Sequence, residues 1–422
     1  MTDLLFMTVG LGEREDPETS LYQPMERSVR NEDWSRVFLL PSQGSLDKAE
    51  TLEERLAPLP VLIRVLPAEG DENDVDRCFA HFDSCIQEVL DGGARQSDLA
   101  LDFTRGTKAM SAAAVLAAVR RGVGRFVYVT GPRGAAGNVL PGQEEVRRVE
   151  PDRVRWALRQ DDARMLMRQG LFRAAGRLLR EGDAGSLGLL PQEQRLSIEG
   201  LQQAAAFFAA WDRLDYKAAA GAPAVRETCG AAVVDWVVAL AADQPNESAE
   251  AARRLRLLAV DLLANGERRV AAGQYEDALI RAYRVLELIG QARLFDRCYD
   301  SAAIPFEDEK VTAFVEDLGR KKRNPPGNNR AGDYQLAREQ VARFLKYLGD
   351  PLGSKLLGFP DKNRYLDLKN RNLSVLIHGF EAINPNEEAP FRQVFQALNA
   401  LLLEDDAGAA ERLALVRDAW PR

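Results

Sequence analysis

The chain has 422 residues, of which 46% are hydrophobic and 28% charged, and a formal net charge of −8. That length and balance suit two or three folded domains, each with its own core, and exclude a disordered or fibrous chain. The acidic balance argues against a protein that coats duplex DNA, and no run approaches the ~20 uncharged apolar residues of a membrane span.

The opening stretch, MTDLLFMTVGLGERED, is apolar but lacks the basic start and small-residue cleavage site of a signal peptide, so it reads as a first β-strand of a cytoplasmic protein. The cysteines Cys78, Cys85, Cys229 and Cys298 are scattered and form no CxxC, which fits a reducing compartment and argues against a zinc cluster. The chain has two histidines, His81 and His378, so a three-histidine zinc site is impossible and no metal is expected.

Residues 1–150 alternate strand-like and helix-like segments. Short apolar runs at 4–10, 36–42, 61–67, 98–104 and 125–131 suit strands buried on both faces of a parallel sheet. Helical stretches are expected at 73–91 and from Gly106 to Arg121. The pattern predicts a Rossmann-like α/β domain.

Within it, LDFTRGTKAMSAAAVLAAVRR runs from a strand through Arg105-Gly106 into a helix that opens on Thr107 and Lys108. The free N–H groups and dipole of a helix N-terminus favour an anion. Thr104 and Thr107 offer hydroxyl donors, and Lys108 a fixed positive charge. The first strand ends in Thr8-Val9-Gly10-Leu11-Gly12, a second turn expected at the same carboxyl edge. The GxxxxGK[ST] spacing of a P-loop is absent, and Gly10-Leu11-Gly12 lacks the third glycine of a dinucleotide fingerprint. On spacing alone, a well-capped buried strand-to-helix turn fits the same residues.

The segment Asp102-Phe103-Thr104-Arg105-Gly106-Thr107-Lys108-Ala109-Met110 resembles the D-x-T-G-G-T-K-x-M signature of CARF domains, the ligand sensors of type III CRISPR accessory proteins. The departure is Arg105, where a small residue is common. The resemblance covers roughly the first 150 residues. It implies that a cyclic oligoadenylate binds across a homodimer, at Thr8, Gly10, Gly12, Thr104, Arg105, Gly106, Thr107 and Lys108.

Beyond about Pro151 the strand signals stop, and an all-α helical region is expected. Two of its segments, 164–182 and 268–287, each carry a glycine, an aromatic two positions on and an alanine five positions on: Gly170, Phe172, Ala175 and Gly273, Tyr275, Ala278. That is the inner turn of a helical hairpin, and two copies are too few for a solenoid. A boundary near 266 separates a connector, 151–265, from a C-terminal domain, 266–422. A basic run, Arg320-Lys321-Lys322-Arg323, reads as a solvated turn when taken alone.

The segment DKNRYLDLKNRNLSVLIHGF (361–380) reads as an amphipathic helix stopped by Gly379. Arg371 and His378 are seven positions apart, which returns to within about 20° of the start and places both on one helix face about 10 Å apart. Metal-free RNA cleavage needs a proton taken from the 2′-hydroxyl, a proton given to the 5′-oxygen and a stabilised phosphorane. Histidine handles protons near neutral pH, and arginine forks a phosphate. Without context, a histidine ending a core helix beside a surface arginine is the better reading of this spacing.

This helix resembles the R-x4–6-H motif of HEPN ribonucleases, with a polar residue, Asn372, directly after the arginine. The resemblance covers about 266–422. It implies a composite site built by two copies, with Arg371, Asn372 and His378 as its catalytic residues. The preceding stretch, 274–294, resembles the first helix of such domains, and its Arg284 and Glu287 read as a structural ion pair.

Together the two resemblances imply a CARF–HEPN protein: a homodimeric, metal-independent endoribonuclease for single-stranded RNA, switched on by cyclic oligoadenylate and needing no cofactor. Two alternatives stay open at this point. One is a sensor with a weak or inactive nuclease domain that signals to a partner. The other is a ring nuclease that degrades its own activator.

Overall fold

The structure is a computed structural model that describes residues 3–12, 15–132, 139, 143–149, 151–181, 187–188, 190–222, 225–243, 247–305, 307–320, 326–328, 332–359 and 388–421. The chain forms two compact units. The first comprises 1–162 with 180–195, and the second 163–179 with 196–422.

The first unit is built on strands β1 (Leu4–Val9), β2 (Arg36–Pro41), β3 (Val61–Ile63), β4 (Leu99–Asp102), β5 (Arg125–Thr130) and β6 (Glu145–Val149), in the spatial order β3-β2-β1-β4-β5-β6. β1 to β5 are parallel, and β6 adds antiparallel to β5. The strand order reverses between β1 and β4, whose register pairs Met7 with Asp102.

The apolar runs are continuous because both sheet faces are covered. Phe6, Phe38, Leu101 and Phe126 meet helices α3 (Val75–Asp91) and α4 (Lys108–Arg121) on one side. Leu5, Met7, Val37 and Leu39 meet α1 (Gln23–Arg30) and α2 (Leu46–Leu56) on the other. Alternate residues of one strand thus feed two cores, as the period of two requires.

Three departures from the sequence reading have physical causes. β6, with sequence EVRRV, is mostly exposed and carries Arg147 and Arg148, so it gives no apolar signal; a charged edge strand also resists pairing with another chain. β3 is three residues long rather than the run 61–67. The helical region also contains a two-residue hairpin, Gly327–Asn328 with Tyr334–Gln335, extended by an Ile304–Tyr334 bridge.

The second unit is mostly helical. Its two glycine turns match closely. Gly170 and Gly273 both have positive φ, 75° and 69°. Gly170 N donates to Met167 O and Leu171 N to Leu166 O, while Gly273 N donates to Val270 O and Gln274 N to Arg269 O. This 5→2 and 6→1 pattern caps a helix around a left-handed residue, the conformation in which glycine is strain-free. The aromatics Phe172 and Tyr275 and the alanines Ala175 and Ala278 that follow are all buried.

Two long helices of this unit, α5 (Ser248–Ala271) and α6 (Tyr275–Phe295), pack along each other. Asp261 of α5 is fully buried and accepts from Trp211 Nε1 (2.9 Å), Trp236 Nε1 (3.1 Å) and Tyr216 OH (2.8 Å). Three neutral donors offset part of the cost of burying a carboxyl. Further on lie α7 (Glu309–Arg320), α8 (Arg338–Tyr347), α9 (Pro351–Gly358), α10 (Glu388–Asp405) and α11 (Ala409–Asp418). Arg284 pairs with Glu287 at 2.8 Å, as the i, i+3 spacing predicts.

Candidate ligand site

The topology places the two predicted turns side by side. β1 and β4 flank the point where strand order reverses, and open α/β sheets bind ligands outside the carboxyl ends of such strands. Thr8 to Gly12 leave β1, and Thr104 to Lys108 leave β4. All eight residues read as ligand contacts from the sequence therefore lie at the end of β1, at the start of α4 or in the two adjacent turns. A Cβ on Gly10 would lie 2.8 Å from Gly106 N, so the two backbones touch.

The hydroxyls, expected to face a ligand, hold the turns together. Thr8 is buried, and its hydroxyl donates to Arg105 O. Thr107 caps α4 by accepting from Met110 N at 3.1 Å, and its own hydrogen goes to Glu72 O. Thr104 Oγ1 accepts from Val129 N at 2.9 Å, and its hydroxyl also donates to the buried Asp102 carboxyl. Gly106 has φ +117°, a conformation open to glycine and strained for other residues.

What remains for an anion is the start of α4. Its first turn carries no acidic residue, although acids are the usual occupants of a helix N-terminus. Lys108 stands there instead, exposed and in no ion pair among the described residues. A lysine at a helix N-terminus opposes the dipole by about 0.3–1 kcal/mol, a cost that a bound anion reverses. The turn thus combines backbone donors and a cation.

Sequence reasoning assigned no role to Asp102, the last residue of β4. It is 1% exposed. Its Oδ1 accepts from Thr104 N at 2.7 Å, and its Oδ2 accepts from the Ser28 hydroxyl. Burial pushes this carboxyl above the usual range, and the hydrogen bonds from Ser28 and Thr104 pull it back. The signal was available in the sequence as Asp-x-Thr, the pattern in which an aspartate caps the backbone two residues on.

Arg371, Asn372 and His378, with the helix expected at 361–380, lie outside the described residues, as do Lys321, Lys322 and Arg323. Among the described residues no cluster of His, Cys, Asp and Glu is placed to hold a metal ion, and no helix is long and apolar enough to cross a membrane. His81 lies on α3, with Nε2 3.1 Å from Arg64 O, away from the two turns in sequence and in hydrogen bonding.

Residues 248–402 match the family model described as the Csm6 HEPN domain, a span that includes Arg371, Asn372 and His378. Among solved structures, Enterococcus italicus Csm6 bound to cyclic hexa-2′-fluoro-hexa-dAMP has the same fold, with TM-score 0.58 and 14% identity over 99% of each chain. Can2 from Sulfobacillus thermosulfidooxidans in complex with cyclic tetra-adenylate aligns over 51% of this chain and 68% of its own, at 13% identity and TM-score 0.23. No curated protein matches the chain in sequence. The CARF–HEPN resemblance read from the motifs agrees with the family match in the helical part and with a Csm6 fold along the whole chain.

Proposed function

We propose that the protein is a cyclic-oligoadenylate-activated endoribonuclease of type III CRISPR defence, cutting single-stranded RNA without a metal and acting as a homodimer. The observation that carries the reading is the paired turn at the β1/β4 switch point, with Lys108 at a helix N-terminus free of acids, in a chain whose residues 248–402 match the Csm6 HEPN domain. A ring of phosphates offers one negative charge per nucleotide. That suits a site of backbone donors and a cation.

The relative of the same fold is bound to a cyclic hexanucleotide analogue, which supports a cyclic oligoadenylate as the ligand class here. In the nuclease part, Arg371 would steady the phosphorane, Asn372 would hold the substrate phosphate, and His378 would move the proton. A single Arg–His helix supplies half of a composite site, hence the dimer. Ligand binding in the first unit would bias the second toward its cutting geometry, a coupling between two distinct sites.

The test is RNA cleavage measured against cyclic oligoadenylates of several ring sizes, with and without EDTA. Cleavage that depends on one ring size and survives chelation is expected. Cleavage independent of every ring, or restored only by added Mg²⁺, would overturn the reading.

A further inference from the structure

Asp102 carries a carboxyl into the carboxyl edge of the sheet, where Arg105 acts on it electrostatically and its directed contacts are hydrogen bonds. Burying such a group is expensive unless its hydrogen bonds are fixed and needed. Its bonds reach different parts of the fold. One group comes from the Thr104 amide and hydroxyl, inside the turn that leads to Lys108. The other comes from Ser28, itself 1% exposed and on α1, the helix that covers the opposite sheet face from α4.

The same turn is held at three more points: Arg105 O by Thr8, Val129 N by Thr104, and Glu72 O by Thr107. Asp102 differs from these because it binds the turn's own backbone at its first residue and an element beyond the sheet at once. We propose that Asp102 is a positioning residue: it holds the anion-binding turn in its receptive shape and joins that turn to α1 through Ser28. The proposal rests on the sensor reading for its functional meaning, but its structural content stands without ligand.

The test therefore has a ligand-free arm. Hydrogen exchange of the ligand-free protein is followed over residues 103–110 and, for comparison, over α2, which packs with α1 but does not touch the turn's hydrogen bonds. In Asp102→Ala the Thr104 amide loses its acceptor, and exchange in the turn should rise by about fivefold or more while α2 is unchanged. Asp102→Asn keeps an acceptor for Thr104 N and presents an amide to Ser28, so it should restore protection. Ser28→Ala removes one bond only and should loosen the turn by an intermediate amount. It also serves as the deciding variant if Asp102→Ala does not fold.

Affinity for cyclic tetra-adenylate and cyclic hexa-adenylate, by calorimetry, should follow the same order, with about a tenfold loss in Asp102→Ala. Wild-type exchange in Ser28→Ala, uniform loosening that includes α2, or an Asp102→Asn variant as damaged as Asp102→Ala would overturn the proposal. A wild-type protein that binds neither ring would instead overturn the sensor reading, and the exchange data would still decide the role of Asp102.

Discussion

Gly10 and Gly106 meet backbone to backbone: a Cβ on Gly10 would lie 2.8 Å from Gly106 N and 3.1 Å from Gly106 Cα. Neither turn can move aside cheaply, because Thr8 holds Arg105 O. Gly10→Ala should therefore push the turns apart, at a cost of about 1–3 kcal/mol in stability by the usual scale of overpacking. Ligand affinity should fall with it. Urea denaturation and calorimetry on the same preparation check both; a variant with wild-type midpoint and affinity would show that the turns yield more easily than this contact implies.

In the helical unit, the helices on either side of residues 360–387 in sequence are tied to α5 and α6 by buried charge. Asp350, the cap of α9, takes Arg293 at 2.9 Å and Arg297 at 2.8 Å. Asp405, at the end of α10, takes Arg256 at 2.9 Å. Both aspartate side chains are 0% exposed. Removing Asp405 leaves Arg256 its second partner, Asp296, so Asp405→Ala should cost more than about 1 kcal/mol but less than the about 3–5 kcal/mol of a fully uncompensated buried charge. Lys355→Ala, which breaks the exposed Lys355–Glu404 pair, should cost less than about 1 kcal/mol. Equal losses in the two variants, measured by denaturant unfolding, would contradict the distinction.

The thiols should separate by burial. Cys78, Cys85 and Cys229 are each pushed up to about 11, chiefly by burial, while Cys298 is exposed. The thiolate is the reacting form, and at pH 8 a thiol with that value is ionised to roughly one part in a thousand. Native iodoacetamide at pH 8 should label Cys298 first and the half-buried Cys229 more slowly, with Cys78 and Cys85 reacting only after unfolding. Peptide mapping of a time course would show it, and early labelling of Cys78 or Cys85 would mean that the α3 face of the sheet opens readily.

The parallel strands were legible because burial on two faces makes each an unbroken apolar run, as in LLFMTV of β1. The helical hairpins were legible because glycine, aromatic and alanine each have a fixed place in the turn, seen at Gly170 and again at Gly273. β6 was not, since an edge strand with Arg147 and Arg148 looks like a loop. At the ligand turn the residue types pointed to an anion, but direction was hidden. Whether Thr107 faces a ligand or Glu72 O depends on a contact 35 residues away, and Asp102 acquires its role only when α1 brings Ser28 to it.

Lys108 and His378 should fail in different ways. Lys108 is the cation at the start of α4, where no acid competes for it. Losing a charge-assisted phosphate contact costs about 1.5–3 kcal/mol, or roughly ten- to a hundredfold in affinity. A dimer would present that contact twice to one ring, so the loss in Lys108→Ala could be larger. Because the nuclease residues are untouched, the activation curve should shift to higher ligand while the maximal rate recovers at saturation. Thr107→Val should behave similarly and also lose about 0.5–2 kcal/mol of stability, since Thr107 caps α4 through Met110 N. His378→Ala should lower the maximal rate at every ligand concentration and leave calorimetric affinity unchanged. His81→Ala, whose ring lies against Arg64 O, should change neither quantity. Titrations of cleavage rate against ligand for the four variants separate these outcomes. Unchanged affinity in Lys108→Ala would remove it from the site, and a full maximal rate in His378→Ala would remove histidine from the chemistry.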